Sequence, residues 1–279
     1  MDSILHKQSV VCKYCSSPNI VKYGTFQGMQ RYFCKNCRRK FADNDALPKM
    51  KTPVWIISLT LNSYYNGKSL GAIQKEINQR HGAYYAQSSI YNWIMRFSEK
   101  AALQAKTFKP VTGDRWFLSI TPVIIGERRL YFLDIFDMNS KFLLASQLSE
   151  TLTPAEIINL INSTGFETQI ISQRQVTIML SDALSQTKLE LINEASRQFI
   201  NIIFKQAELV SIKEFNAPLK KRNRVVHNYK SMKKAQTLTA AWRLHYNFFM
   251  DNDKPKHIIP ANKTGKPLFK NWEDIISQS

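Results

Sequence analysis

Four cysteines and one aspartate are the residues whose placement speaks most directly of chemistry. The cysteines lie in the first 37 residues as Cys12-x2-Cys15 and Cys34-x2-Cys37, with 18 residues between the pairs. Each Cys-x-x-Cys makes a tight knuckle that turns two thiolates toward one point. Two knuckles complete a tetrahedron, which is the spacing of a structural zinc site. Two disulfides or a redox pair are the competing reading, and both the doubled motif and a thiol-reducing compartment argue against it. So short a segment buries little core, so metal binding is expected to supply its folding energy.

Val176-Thr177-Ile178-Met179-Leu180-Ser181-Asp182 is an unbroken apolar run that stops at a single carboxylate. A run apolar on both faces reads as a strand buried between helices, typically a parallel one. Side chains at the carboxyl ends of such strands line the active crevice of open α/β sheets, which makes Asp182 a candidate metal ligand or general base. As a plain structural residue, Asp182 would cap the helix that starts near Leu184.

The totals bound the partners. Lys+Arg 39 against Asp+Glu 21 leaves a formal net charge of +18 on 279 residues. A chain this basic tends to meet polyanions, and nucleic acid is the default. No apolar run approaches the roughly 20 residues that span a bilayer, and residues 1–10 lack the apolar core of a secretory signal. The expected location is therefore the cytoplasm, in association with the nucleoid.

The elements that must position these residues follow in chain order. Residues 20–24 and 28–33 alternate as a short hairpin, so residues 1–45 read as a zinc ribbon. Arg31, Arg38, Arg39 and Lys40 decorate it without an acidic neighbour, which suits phosphate contact. In residues 53–105, Pro53 opens a first helix, Ser69 caps a second, and Ile90, Trp93, Ile94 and Phe97 give a third its apolar stripe. Three such helices read as a helix-turn-helix domain, with Tyr91, Asn92 and Arg96 directed at a major groove. A plain three-helix packing unit is the alternative.

From Trp116 the period becomes that of strands: 117–125, 130–137 and 141–148, joined by short turns. Thr153-Pro154-Ala155-Glu156 combines a capping box with proline at the first helical position. After it come the strand ending at Asp182, a helix, a strand at 200–204 and a last helix from near Val210. The fold class is therefore α/β, with a mixed sheet over residues 112–250 in the order β-β-β-α-β-α-β-α. That is the order of the ribonuclease-H-like fold, in which the first strand lies beside the one ending at Asp182. Pro122 is awkward inside a central strand unless a bulge accommodates it. Lys220, Lys221, Arg222 and Arg224 on the last helix give it a DNA-facing surface. Residues 251–279 read as a loop-rich tail.

Several stretches in shared order resemble insertion-sequence transposases of the zinc-ribbon, helix-turn-helix, DDE type. They are residues 28–41, Tyr64 to Leu70, Ser89-Ile90-Tyr91-Asn92-Trp93, Lys141 to Ser146, Asn216 with Leu219 and Arg222, Lys230-Ser231 and Tyr246-Asn247-Phe248. The resemblance implies two-metal strand cleavage and transfer, with two Asp and one Glu holding a pair of Mg²⁺ ions. This chain departs from the pattern where it matters. The first Asp position holds Ser119, the second holds Asp182, and the third acid position holds Lys213, with Glu214 beside it.

The resemblance thus implies a transposase-family protein that binds element-end or related duplex DNA, with structural zinc and no strand-transfer chemistry. Family members work as dimers or larger assemblies on DNA, so the same is expected here. One alternative is an active Mg²⁺-dependent transposase with a rearranged site, using Asp182 with Glu214 and either Asp134 or Asp137. A second is a structural or RNA-binding partner using the same basic face.

Overall fold

The computed structural model describes the chain apart from residues 1–9, 27, 105–106, 165–174, 181–185, 200–201, 207–208, 227–230, 251–258, 265–268 and 279. Within helices and strands, the side chains of residues 186–189, 206, 209–214, 216–217 and 226 are also outside the description. Two compact units divide at Ser58 and Leu59.

The first unit is built on a three-stranded antiparallel sheet, β1 (Ile20–Phe26), β2 (Met29–Cys34) and β3 (Lys40–Ala42), in that order. The expected hairpin turns at Gly28, whose φ of 75° is open to glycine at no steric cost. Alternation sends Tyr32 and Phe41, cross-strand partners, to the inner face, where their rings stack at 5.6 Å. That face closes over buried Cys12, Cys34 and Phe41, with Val10, Tyr14 and Ile20 packed around them.

The second unit carries, among the described residues, a five-stranded mixed sheet in the order β6-β5-β4-β7-β8. Its strands are β4 (Arg115–Ile125), β5 (Arg128–Asp137), β6 (Leu143–Ser149), β7 (Val176–Leu180) and β8 (Ile202–Gln206). The helices between and after them are α4 (Pro154–Asn162), α5 (Gln186–Ser196), α6 (Leu209–Val226) and α7 (Met232–Phe248). The element order is the expected one, and β4 lies beside β7 in parallel register, Arg115 to Leu118 against Thr177 to Leu180. The capping box works as the sequence predicts, with the Thr153 side chain accepting from the Glu156 N–H and Pro154 opening α4.

Pro122 needs no bulge. β4 pairs with β5 along the whole run from Trp116 to Ile125, but β7 reaches only as far as Leu118. Beyond that point β4 has no second strand partner among the described residues, and an absent N–H breaks no ladder there.

Helices α1 (Val54–Tyr65), α2 (Leu70–His81) and α3 (Gln87–Gln104) form the expected three-helix arrangement, and Gly82 in the left-handed region (φ 61°) ends α2. They do not stand apart from the sheet. α3 packs against α7 and against α9 (Trp272–Ser277), and the Tyr64 hydroxyl donates to the Val225 carbonyl at 2.9 Å. Tyr65 stacks on Trp272 at 5.2 Å. The loop-rich reading of residues 251–279 is therefore corrected: α8 (Pro260–Thr264) and α9 lie there, and Trp272, Ile275 and Ile276 are buried. No described helix is long and apolar enough to cross a membrane.

Tyr246 and Asn247, part of one of the stretches that carry the resemblance, hold the edge strand in place. Asn247 accepts from the Leu143 N–H at 2.8 Å and donates to its carbonyl at 3.0 Å, while the Tyr246 hydroxyl donates to the Lys141 carbonyl at 2.9 Å. Arg243 also donates to Leu143 O at 3.0 Å. The register between β5 and β6 shifts at this place, so an α7 side chain substitutes for the strand partner. Asn247→Leu leaves the buried Leu143 N–H unpaired and is expected to cost about 2 kcal/mol. Urea unfolding measures the loss, and hydrogen exchange at the Leu143 amide should accelerate; unchanged protection there would refute the assignment.

Candidate metal centre and the sheet face at Ser119

The two Cys-x-x-Cys segments fold into copies of one knuckle. In the first, Ser16 N–H donates to Cys12 O at 2.8 Å and Cys12 N–H to Ser17 O at 2.9 Å. In the second, Arg38 N–H donates to Cys34 O at 2.9 Å and Cys34 N–H to Arg39 O at 3.0 Å. Ser16 and Arg38, each one residue past the second cysteine, both take φ 57°. This left-handed residue turns each knuckle back on itself and aims its two sulfurs at the opposite pair.

The four sulfurs lie within 4.8 Å of one another, with Cys12 to Cys37 and Cys15 to Cys34 each 3.6 Å apart. Those separations are far beyond a disulfide length of about 2.05 Å. Sulfurs gathered this closely surround one central position, as four thiolates do around a metal ion at bonds of roughly 2.3 Å. The four cysteines are thus placed to bind a metal ion, and the donor set fits one with a preference for thiolates. Backbone N–H groups of the knuckle support the charge: the Cys37 N–H in particular holds the Cys34 thiol down to about 7. Burial pushes Cys37 up to about 12. Four thiols in this space repel one another's ionisation, and a bound dication removes that penalty.

The second cluster lies on the sheet. Ser119 on β4, Asp134 on β5 and Ser146 on β6 are directly opposed in register and so share one face. α6 covers that face with a stripe of Phe215, Leu219, Arg222 and Val225, spaced at helical period and all buried. Phe215 stacks on Phe117 at 4.8 Å and packs on Phe136 at 4.7 Å, another cross-strand pair of the same face. Two turns further on, Arg222 reaches Asp134, with Nη1 2.5 Å from both carboxylate oxygens. Both side chains are fully buried. The guanidinium also lies over the Phe132 ring, 3.6 Å from its centroid, and Ser146 donates its hydroxyl to Asp134 at 2.6 Å. Burial draws the Arg222 pKa down while Asp134 holds it up.

This arrangement corrects two expectations. Arg222 has no exposed surface, so it is not a DNA contact; it is the counter-ion of a carboxylate inside the core. The rearranged acid set loses its two β5 candidates as well. Asp134 is committed to Arg222, and Asp137 accepts from the Gly113 N–H at 2.9 Å and from the Ser140 N–H and hydroxyl at 2.8 and 2.5 Å. Gly113 approaches so closely that an added Cβ would lie 3.2 Å from Asp137 Oδ1 and 2.7 Å from Asn139 Nδ2. Asp137 is a turn residue, tying the segment that leads into β4 at Gly113 to the turn that follows β5 at Ser140.

Ser119 is buried, and its hydroxyl lies 3.3 Å from that of Thr121. β7 ends at Leu180 against Leu118, one residue before Ser119. Asp182 lies outside the described residues, as do the side chains of Lys213 and Glu214, although both of the latter belong to α6.

The remaining basic candidates are distributed over several surfaces. Arg38, Arg39 and Lys40 are exposed on the ribbon, where the Arg39 guanidinium lies 4.9 Å over the Tyr14 ring. Arg31 is half-buried. On α3, Asn92 and Arg96 are exposed, while Tyr91 is half-buried with Lys234 of α7 5.3 Å over its ring. On α6, Lys220 and Arg224 are exposed and Lys221 half-buried. The alternation of burial along α6 is what separates Arg222 from its basic neighbours, and composition alone does not reveal it.

No family model matches the chain, and no curated protein matches it. Among solved structures, it is similar to the catalytic core domain of HTLV-2 integrase in complex with magnesium, in a trimeric form, at 12% identity. That likeness covers 56% of this chain and 98% of the other, with a TM-score of 0.38. It is similar also to a chain of the simian T-cell lymphotropic virus intasome in complex with the PP2A regulatory subunit B56 gamma. There the identity is 11%, over 76% of this chain and 74% of the other, with a TM-score of 0.40. A dimeric form of the HTLV-2 core gives 13% identity over 51% and 92%, with a TM-score of 0.33.

Proposed function

We propose that this chain is a duplex-DNA-binding protein of DDE-transposase descent that keeps a ribonuclease-H-like domain without its strand-transfer chemistry. The observation that carries the reading is the sheet face at Ser119. The first acid position of the family pattern is a neutral, buried hydroxyl, and the carboxylate facing it across the strands is neutralised by Arg222. A pair of divalent ions needs uncommitted carboxylates converging on one place. Here a permanent cation from the chain itself is seated beside the place, and it opposes a second positive charge there.

DNA recognition in this reading belongs to the zinc-bound ribbon, to Asn92 and Arg96 on α3, and to Lys220 and Arg224 on α6. The metal supplies the folding energy of the ribbon and takes no part in any reaction. Dimers or larger assemblies on paired DNA ends, and a place on the nucleoid, belong to the same proposal.

The test is incubation with a labelled duplex carrying the terminal repeats that flank the gene, with Mg²⁺ or Mn²⁺. The expected result is retention that weakens steeply with salt, without strand nicking. Nicking that disappears in Asp182→Ala would overturn the loss of chemistry, and absence of salt-sensitive retention would overturn the DNA assignment.

A further inference from the structure

One face of the ribbon is spent on the metal knuckles, and the other has no partner in its unit among the described residues. Val21, Phe33 and Lys40 are successive cross-strand partners over β1, β2 and β3, so they share the outer face. Alternation along β2 adds Met29 and Arg31 to it. Tyr23, two residues from Val21, lies on the same face with its ring 6.4 Å from that of Phe33. A register shift between Lys22 and Thr25 then brings Phe26 opposite Met29, so that Phe26 joins the face although it is three residues from Tyr23. Val21, Tyr23, Phe26 and Met29 are exposed by 39%, 45%, 61% and 38%.

The strip they form is bordered by cations. The Lys40 ammonium lies 3.9 Å over the Tyr23 ring and donates to its hydroxyl, and the Arg31 guanidinium lies 5.7 Å from the same ring. No acidic residue occurs between residues 10 and 42. An aromatic and aliphatic strip costs free energy in water, and one ringed by positive charge repels a second copy of itself. Its complement is a chain that offers flat apolar rings and negative charge together.

We propose that the outer face of the ribbon is a stacking platform for unpaired bases of single-stranded DNA, with Tyr23 as the ring on which a base lies. It rests on the nucleic-acid reading of the chain and adds a strand state that the helix-turn-helix does not address. Paired bases present no face to Tyr23, whereas an unpaired base does, and Arg31 and Lys40 are at hand for the flanking phosphates. Val21, Phe26 and Met29 suit deoxyribose and the thymine methyl group; they would strip water from a 2′-hydroxyl without replacing its hydrogen bonds.

The experiment uses the full chain and fluorescence anisotropy with two labelled probes, an oligothymidylate of about a dozen nucleotides and a perfect hairpin duplex. Tyr23→Leu keeps apolar bulk at an exposed position and removes the stacking ring. It is expected to weaken oligothymidylate binding about tenfold while changing duplex binding less than twofold, and Tyr23→Trp is expected to retain or tighten it. Equal losses on both probes, or an unchanged oligothymidylate affinity, would overturn the platform. So would a preference for oligouridylate, or a Tyr23-dependent change of sedimentation mass without nucleic acid. Tyr23-dependent oligothymidylate binding in a chain that ignores the duplex would instead remove the duplex reading and leave the platform standing.

Discussion

Arg222→Ala is expected to destabilise the second unit by about 3–5 kcal/mol, the cost of leaving a buried charge without its partner. The Asp134 carboxylate it pairs with has no exposed surface. Once the guanidinium is removed, that charge has Ser146 as its remaining described partner, which does not offset the desolvation of an anion. The substitution also opens space between Phe132 and Trp242, whose rings lie 3.6 and 5.8 Å from the guanidinium carbon. Urea unfolding followed through the buried tryptophans Trp116, Trp242 and Trp272 reads the change. The paired replacement Asp134→Leu with Arg222→Met is expected to recover most of the loss, because an ion pair in the core contributes little against well-packed apolar groups. A loss below about 1 kcal/mol for Arg222→Ala would mean that water reaches the carboxylate and that the pair is not desolvated.

Removal of the metal from the ribbon is the second large effect. Structural zinc in comparably small modules contributes apparent free energies of about 10–16 kcal/mol at neutral pH. Among the described residues, the buried cluster it has without the ion is Cys12, Cys34 and Phe41. Chelation, or Cys34→Ser, is therefore expected to abolish amide protection over β1 to β3 and to open the segment to proteolysis. The unfolding transition of the second unit should stay where it is. Metal analysis of the purified chain should give one zinc per molecule. Full protection of the β1 and β2 amides after chelation would show that the hairpin folds on propensity alone.

The ease of reading these two sites from the sequence differs for a physical reason. A tetrathiolate centre is local: two short turns carry all four ligands, and the spacing of Cys12, Cys15, Cys34 and Cys37 encodes the turns themselves. The strand order was legible for a related reason, since capping at Thr153 and the short turns at Gly126 and Asn139 restrict the topology. Arg222 was misread because a charge in a basic run looks solvated, and only the stripe of Phe215, Leu219 and Val225 around it reveals which way it faces. Asp134 is flanked by the apolar runs Leu130 to Leu133 and Ile135 to Phe136, in a strand that is buried almost continuously. β3 is three residues long, below the length at which a period exists, and the register shift that carries Phe26 to the outer face of the ribbon is marked in residue types by Gly24 alone, which takes φ 72° there. α9 was missed because Trp272, Ile275 and Ile276 are too few to display a helical period on their own.

The docking of α9 also sets an order of events during synthesis. Trp272 stacks on Tyr65, α9 packs against α3, and Gln104 is bonded to Gln278 at 3.1 Å. Trp272 is made roughly 200 residues after Tyr65. At translation rates of about 5–20 residues per second, the N-terminal helices wait some ~10–40 s with part of their packing surface uncovered. The ribbon closes on its own knuckles within its first 42 residues, so the nascent chain holds a finished metal module long before the helices that follow it acquire their last neighbour.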